Sequence, residues 1–234
     1  MPAYKFSRTL APTTNVSGNT QVLEKVNISY SKDGRYLAVL IGKQLTIWDG
    51  HTYDTQVVLT KQNSEIISFI WLSVDPHTLI TAGIHESRFL AESVEIEWFS
   101  TNRAVNVIAA NSSGTLLAFA TQDTVEIWRR NPSNRTSTMR LGFLPACPSI
   151  GGMAVPSKIV KLHFLQGSQL LVAYGDGAII TWEVPIHTPN LAQLVDAVQI
   201  QGSLLQDISP AFDAVAVAEA SSYKTYPLYH SVPD

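Results

Sequence analysis

The side chains best suited to proton transfer or metal ligation near neutral pH are histidines, and the chain has six, at positions 51, 77, 85, 163, 187 and 230. They are scattered. His85-Glu86 opens like the helical zinc-protease motif, but that chemistry needs a second His three residues after the Glu, and Phe89 stands there. Gly175-Asp176-Gly177 starts like a dinucleotide fingerprint, in which glycines let the backbone approach a pyrophosphate. Ile180 replaces the required third Gly, so the segment reads as a strand-to-strand turn. No Gly-x-Ser-x-Gly nucleophile elbow or phosphate loop occurs. The single Cys147 excludes an intramolecular disulfide and a cysteine-rich zinc site. The expectation is a chain with no catalytic residues, no cofactor and no metal site. His163 alternates with Leu162 and Phe164 on a strand, where a bonded or inward-facing structural His is expected.

One charged constellation stands out. Arg129, Arg130, Arg135 and Arg140 follow one another with no acid between them, a composition able to take an acidic peptide or a phosphate, or simply to solvate a loop. No aromatic is interleaved to stack bases, which argues against nucleic acid. Net charge is −3, with 13 Lys and Arg against 12 Asp and Glu in residues 1–140 and 3 against 7 in residues 141–234. Neither half is polarised enough to imply a nucleic-acid or membrane surface.

The elements that position these residues repeat. Tyr30 to Asp49 reads as a turn at Ser31-Lys32-Asp33-Gly34, a buried strand from Tyr36 to Ile41, a turn at Gly42-Lys43, and a strand ending in Trp48-Asp49. Val26 to Tyr30 is the strand before it and Thr55 to Thr60 the one after. The pattern returns near residues 66–102, 105–144, 159–200 and 204–229, with starts at Val26, Ile66, Val105, Ile159 and Leu204 separated by 40, 39, 54 and 45 residues. A period of about 40–45 residues built from short strands is that of propeller blades.

These repeats resemble the WD40 family, from about Val26 to Tyr229. The match is carried by Tyr174-Gly175-Asp176-Gly177-Ala178-Ile179-Ile180-Thr181-Trp182, by Gln122-Asp123-Thr124-Val125-Glu126-Ile127-Trp128, and by the Trp48-Asp49 dipeptide. Trp98 takes the terminal Trp position of the second repeat, and Tyr226 or Tyr229 that of the fifth. The family's Gly-His pair before the first strand is missing from every repeat, so its His-Ser/Thr-Asp-Trp hydrogen-bonded set cannot form and the blades depend on apolar packing. The resemblance implies a single all-β domain, residues 1–234, a WD40-like β-propeller with about five blades. It is either a closed five-bladed ring or part of a larger propeller. Trp48, Asp49, Trp98, Asp123, Trp128, Asp176 and Trp182 are its structural blade residues.

Two places stay open. In the second repeat, Val94 to Phe99 is either the third strand, with Gly83 to Ser93 a loop, or the outer strand, with a short inner strand around Phe89. At the N-terminus, Tyr4 to Leu10 is a strand without a neighbour, expected to pair with Tyr223 to Tyr229 and close the ring. Ala11 to Gln21 and Pro145 to Lys158, rich in Pro, Gly, Asn, Ser or Thr, are loops expected to gather on one face.

Hydrophobic residues make up 45% and charged residues 15%, enough apolar material for a core. No apolar run approaches the roughly 20 residues of a membrane span, and no leader-like start is seen. Asn-X-Ser/Thr triplets occur at Asn15, Asn27, Asn111 and Asn134. Together these features lead us to expect a non-catalytic scaffold that presents loops to other proteins or peptides, with no nucleic acid and no membrane, in the cytoplasm or nucleus. Alternatives are a propeller-type hydrolase using paired carboxylates at a central channel, or an incomplete propeller without independent function.

Overall fold

The structure, a computed structural model, describes residues 26–42, 44–52, 55–59, 66–74, 78–83, 86–91, 94–100, 104–131, 138–147, 158–200, 207–210, 214–218 and 223–227. Every sheet is antiparallel and runs in chain order. The first holds β1 (Val26–Tyr30), β2 (Tyr36–Ile41), β3 (Gln44–Asp49) and β4 (Thr55–Leu59). The second holds β5 (Ile66–Trp71), β6 (Thr78–Gly83), β7 (Glu86–Ala91) and β8 (Val94–Ser100). The third holds β9 (Val107–Ala110), β10 (Leu116–Ala120), β11 (Val125–Arg130) and β12 (Thr138–Phe143). The fourth holds β13 (Ile159–Phe164), β14 (Gln169–Tyr174), β15 (Ala178–Glu183) and β16 (Gln193–Gln199). The fifth has three described strands, β17 (Asp207–Pro210), β18 (Ala214–Ala218) and β19 (Tyr223–Pro227). Tight turns such as Ser31 to Arg35, Asn111 to Thr115 and Gly175 to Gly177 join neighbouring strands, which makes sequential antiparallel pairing the easy topology.

Register shows that the sheets are repeats of one design. Leu37 lies opposite Trp48, Leu117 opposite Trp128 and Leu170 opposite Trp182. In each case the pairing with the outer strand shifts register at the Trp, between Ile47 and Trp48, Ile127 and Trp128, and Thr181 and Trp182. An extra residue there bends and twists the outer strand. The second sheet has the same shift, between Phe89 and Leu90, with Leu79 opposite Leu90. Leu90 therefore occupies the Trp position, and Trp98 belongs to the outer strand. Of the two expectations for this repeat, the one with an inner strand around Phe89 holds, and Gly83 to Ser93 is not a loop. In the fifth sheet Tyr226 faces Val215 at the corresponding place; Tyr229 lies outside the described residues.

The cores lie between sheets. Tyr36, Ala38, Leu40, Leu45 and Ile47 of the first pack on Ile66, Phe69 and Leu79 of the second. Ile80 and Ala82 meet Ile108, Leu117, Phe119 and Trp128. Ala118, Val125 and Ile127 meet Leu162, Val172, Ile180 and Trp182. The second strands β2, β10 and β14 are apolar on both faces, Tyr36 to Leu40, Leu116 to Ala120 and Leu170 to Tyr174 all being buried, as in strands enclosed on both sides. β1 packs beside β5, β5 beside β9, β9 beside β13, and β13 beside β17, so the first strand of each sheet adjoins the first strand of the next. The fold is all-β and compatible with a β-propeller-like arrangement. Residues 4–10, the expected closing strand, and loop 11–21 lie outside the described residues, as does most of 145–158.

Candidate functional site: a cleft between the first strands of four sheets

The first strands of four sheets line one cleft of about 990 Å³. β1 contributes Val26 to Ser29, β5 contributes Ser68 to Trp71, β9 with Asn106 contributes the segment to Ala110, and β13 contributes Val160 to Phe164. Trp71 ties two walls together: its indole Nε1 donates to the Ser29 carbonyl oxygen at 3.1 Å, and its ring stacks on Tyr36 with centroids 6.0 Å apart. The walls differ. On β13, Ile159, Leu162 and Phe164 are buried while His163 is exposed and Lys161 half-buried. On β1, Val26, Ile28 and Tyr30 are 51%, 64% and 49% exposed.

Lys161 and His163 are the charged or titratable side chains among the described lining; the rest of its polarity comes from Asn27, Ser29, Ser68, Ser73 and Asn106. The pair is two residues apart on a strand, which puts both side chains on one face. The surrounding strands strip water from the His163 imidazole, and the Lys161 ammonium adds like-charge repulsion, so its pKa falls below the usual value. His163 is thus exposed at an open cleft, not the bonded or inward-facing structural residue expected from sequence.

The arginine cluster is not one exposed patch. Arg130 is only 3% exposed, because it alternates with Ile127 and Arg129 on β11 and shares the face of Trp128. Its backbone N–H donates to the Thr115 carbonyl at 2.8 Å, and its guanidinium lies under the Gly114 turn. Arg129 is half-buried. Arg140, opposite Trp128 in register, is exposed and sits over the Phe143 ring at 5.6 Å. Arg135 lies outside the described residues.

The blade residues have local tasks. Trp48, Trp128 and Trp182 are 7%, 7% and 4% exposed. The Asp49 carboxylate accepts from the Thr52 and His51 backbone N–H groups at 2.9 Å each, which holds its pKa below the ordinary carboxylate value. Gly50 follows because a Cβ there would run into the Gly34 carbonyl oxygen. Asp176 accepts from the Ala178 N–H at 3.2 Å in a turn completed by Gly177 at φ +98°. Asp123 is exposed in the turn between β10 and β11.

Sequence reasoning missed Glu126. It is 1% exposed and accepts from the Trp128 Nε1–H at 3.1 Å, so a carboxylate two residues back on the same strand serves an indole for which no His-Ser-Asp set exists. The only signal was Glu at an inward-facing strand position.

Cys147 and Asn111 are each engaged locally. Burial raises the Cys147 thiol pKa and that of the Tyr174 phenol beside it, so the thiolate needed for nucleophilic attack is disfavoured. Asn111 is buried, its Oδ1 accepting from Thr115 and Leu116 at 2.9 and 3.1 Å, and a glycan there would have to break that turn. Asn15 and Asn134 lie outside the described residues. Among them, no group of His, Cys, Asp or Glu is placed to hold a metal, and no helix is long and apolar enough to cross a membrane.

No protein-family model matches the chain, and a search of curated proteins returns no match.

Proposed function

We propose that the chain is a non-catalytic WD40-like β-propeller that binds other proteins or peptides, its sheets being blades around a central channel. The observation that carries this reading is the shared cleft: consecutive antiparallel sheets, each with the same Leu-opposite-Trp or Leu-opposite-Leu register and bulge, turn their first strands to one opening. A rigid surface of that kind costs little ordering entropy when a partner docks. The described lining offers no pair of carboxylates for glycoside-type hydrolysis. In this reading the protein acts in the cytoplasm or nucleus.

Selection from a random twelve-residue peptide library tests it. Peptides that bind the intact chain and lose binding to His163→Trp, which puts a bulkier side chain into the cleft, support the platform. Failure to enrich any binder, or binders indifferent to that substitution, overturns the cleft as its binding surface.

A further inference from the structure

Resting on that platform reading, we propose that the cleft is selective for an acidic peptide, whose carboxylates are taken by Lys161 and His163 of β13 while its apolar side chains lie against the exposed wall at Val26 and Ile28 of β1.

The two walls give the proposal its chemistry. β13 presents an ammonium and an imidazole on one strand face, and no Asp or Glu belongs to the described lining. Charge-assisted bonds from such donors to carboxylate are roughly twice as strong as neutral ones. A cleft with low-dielectric walls also concentrates the field of the charges it carries. Elements packed against β13 contribute neutral residues at the facing positions: Ala173 opposite Lys161 and Leu171 opposite His163 on β14, and Val107 to Ala110 on β9. β10, which also packs on β13, is apolar from Leu116 to Ala120, and the charged residue of β17 is Asp207, its first residue.

Size and the apolar stretch of β1 favour a peptide over a small anion. About 990 Å³ lies at the upper end of ligand-pocket volumes and far exceeds a phosphate. Val26 and Ile28, more than half exposed, would remain wet beside a purely ionic ligand, whereas side chains of a peptide bury them. Because water stripping and Lys161 hold His163 toward its neutral form, a carboxylate arriving beside it favours the imidazolium, and binding takes up a proton.

Fluorescence anisotropy on the full chain tests this with a labelled ten-residue peptide alternating Glu and Val, its Gln-for-Glu counterpart, and inorganic phosphate as competitor. The Glu peptide is expected to bind at least ten times more tightly than the Gln peptide, and Lys161→Met and His163→Gln each to weaken it about tenfold at pH 7.5 with melting temperatures unchanged at that pH. The uptake of a proton should make affinity rise from pH 7.5 to 6 in the intact chain and stay flat in His163→Gln. Equal binding of the Glu and Gln peptides overturns the acidic preference and leaves the platform standing. Phosphate displacing the Glu peptide at equal concentration overturns the peptide as ligand, and binding unchanged in both variants overturns the assignment to β13.

Discussion

β11 and β13 carry the same local pattern and put it to opposite uses. On β11, Glu126, Trp128 and Arg130 alternate along one face and all three are buried; on β13, Lys161 and His163 alternate along one face and open to the cleft. The difference is strand position. β11 is the third strand of its sheet, covered by neighbouring sheets, so Glu126 and the Trp128 indole bond each other inside, while the buried Arg130 Nε makes no hydrogen bond among the described residues. β13 is the first strand of its sheet and lines the opening, where His163 is exposed and Lys161 half-buried. A charged residue within a strand therefore says little about role until its place in the sheet is known.

That contrast orders the expected effects of substitution. Trp128→Ala empties a site packed among Ile80, Leu117 and Phe119 and should cost about 3–5 kcal/mol, measured by chemical denaturation. Arg130→Glu puts the wrong charge into a buried place and should destabilise by about 3 kcal/mol, whereas Arg140→Glu on the neighbouring exposed position should stay within about 0.5 kcal/mol. Equal effects for those two would erase the distinction between buried and exposed arginines. Glu126→Ala, which leaves the Trp128 N–H without that acceptor, should cost about 1–3 kcal/mol, and more than Lys161→Met.

The smallest expected effect concerns acid. The folded-state pKa of His163 lies below its unfolded value of about 6.5, so the unfolded chain binds the extra proton first. Stability is then fully present above pH 6.5 and declines as pH falls from there toward the folded pKa. In His163→Gln that part of the decline should vanish from melting curves between pH 7.5 and 5; a parallel loss in both proteins would mean that His163 feels no field in the cleft.

How much of this was legible in the chain follows from what local pattern can encode. Periodicity revealed five strand units, and Trp48, Trp128 and Trp182 marked third strands because a large aromatic opposite a Leu is a local, repeated requirement. Trp98 misled as a marker, since the residue that fills that position is Leu90, and only backbone register tells a third strand from a fourth when both are short and mix polar with apolar residues. The arginine cluster misled for a related reason: adjacency in sequence sends alternate side chains to opposite faces, and Arg130 went inside. Lys161 and His163 were visible as exceptions on an apolar inner strand, but the wall opposite them is set by β1, over 130 residues earlier, which no local spacing can show.

The most direct test is hydrogen exchange of the full chain with and without a cleft-dependent peptide from the library selection. The account predicts slowed exchange at residues 27–29, 68–71, 106–110 and 160–164, the edges that line the opening. Slowing confined to the outer strands, at 138–143 and 193–199, with the inner strands unaffected, would contradict it.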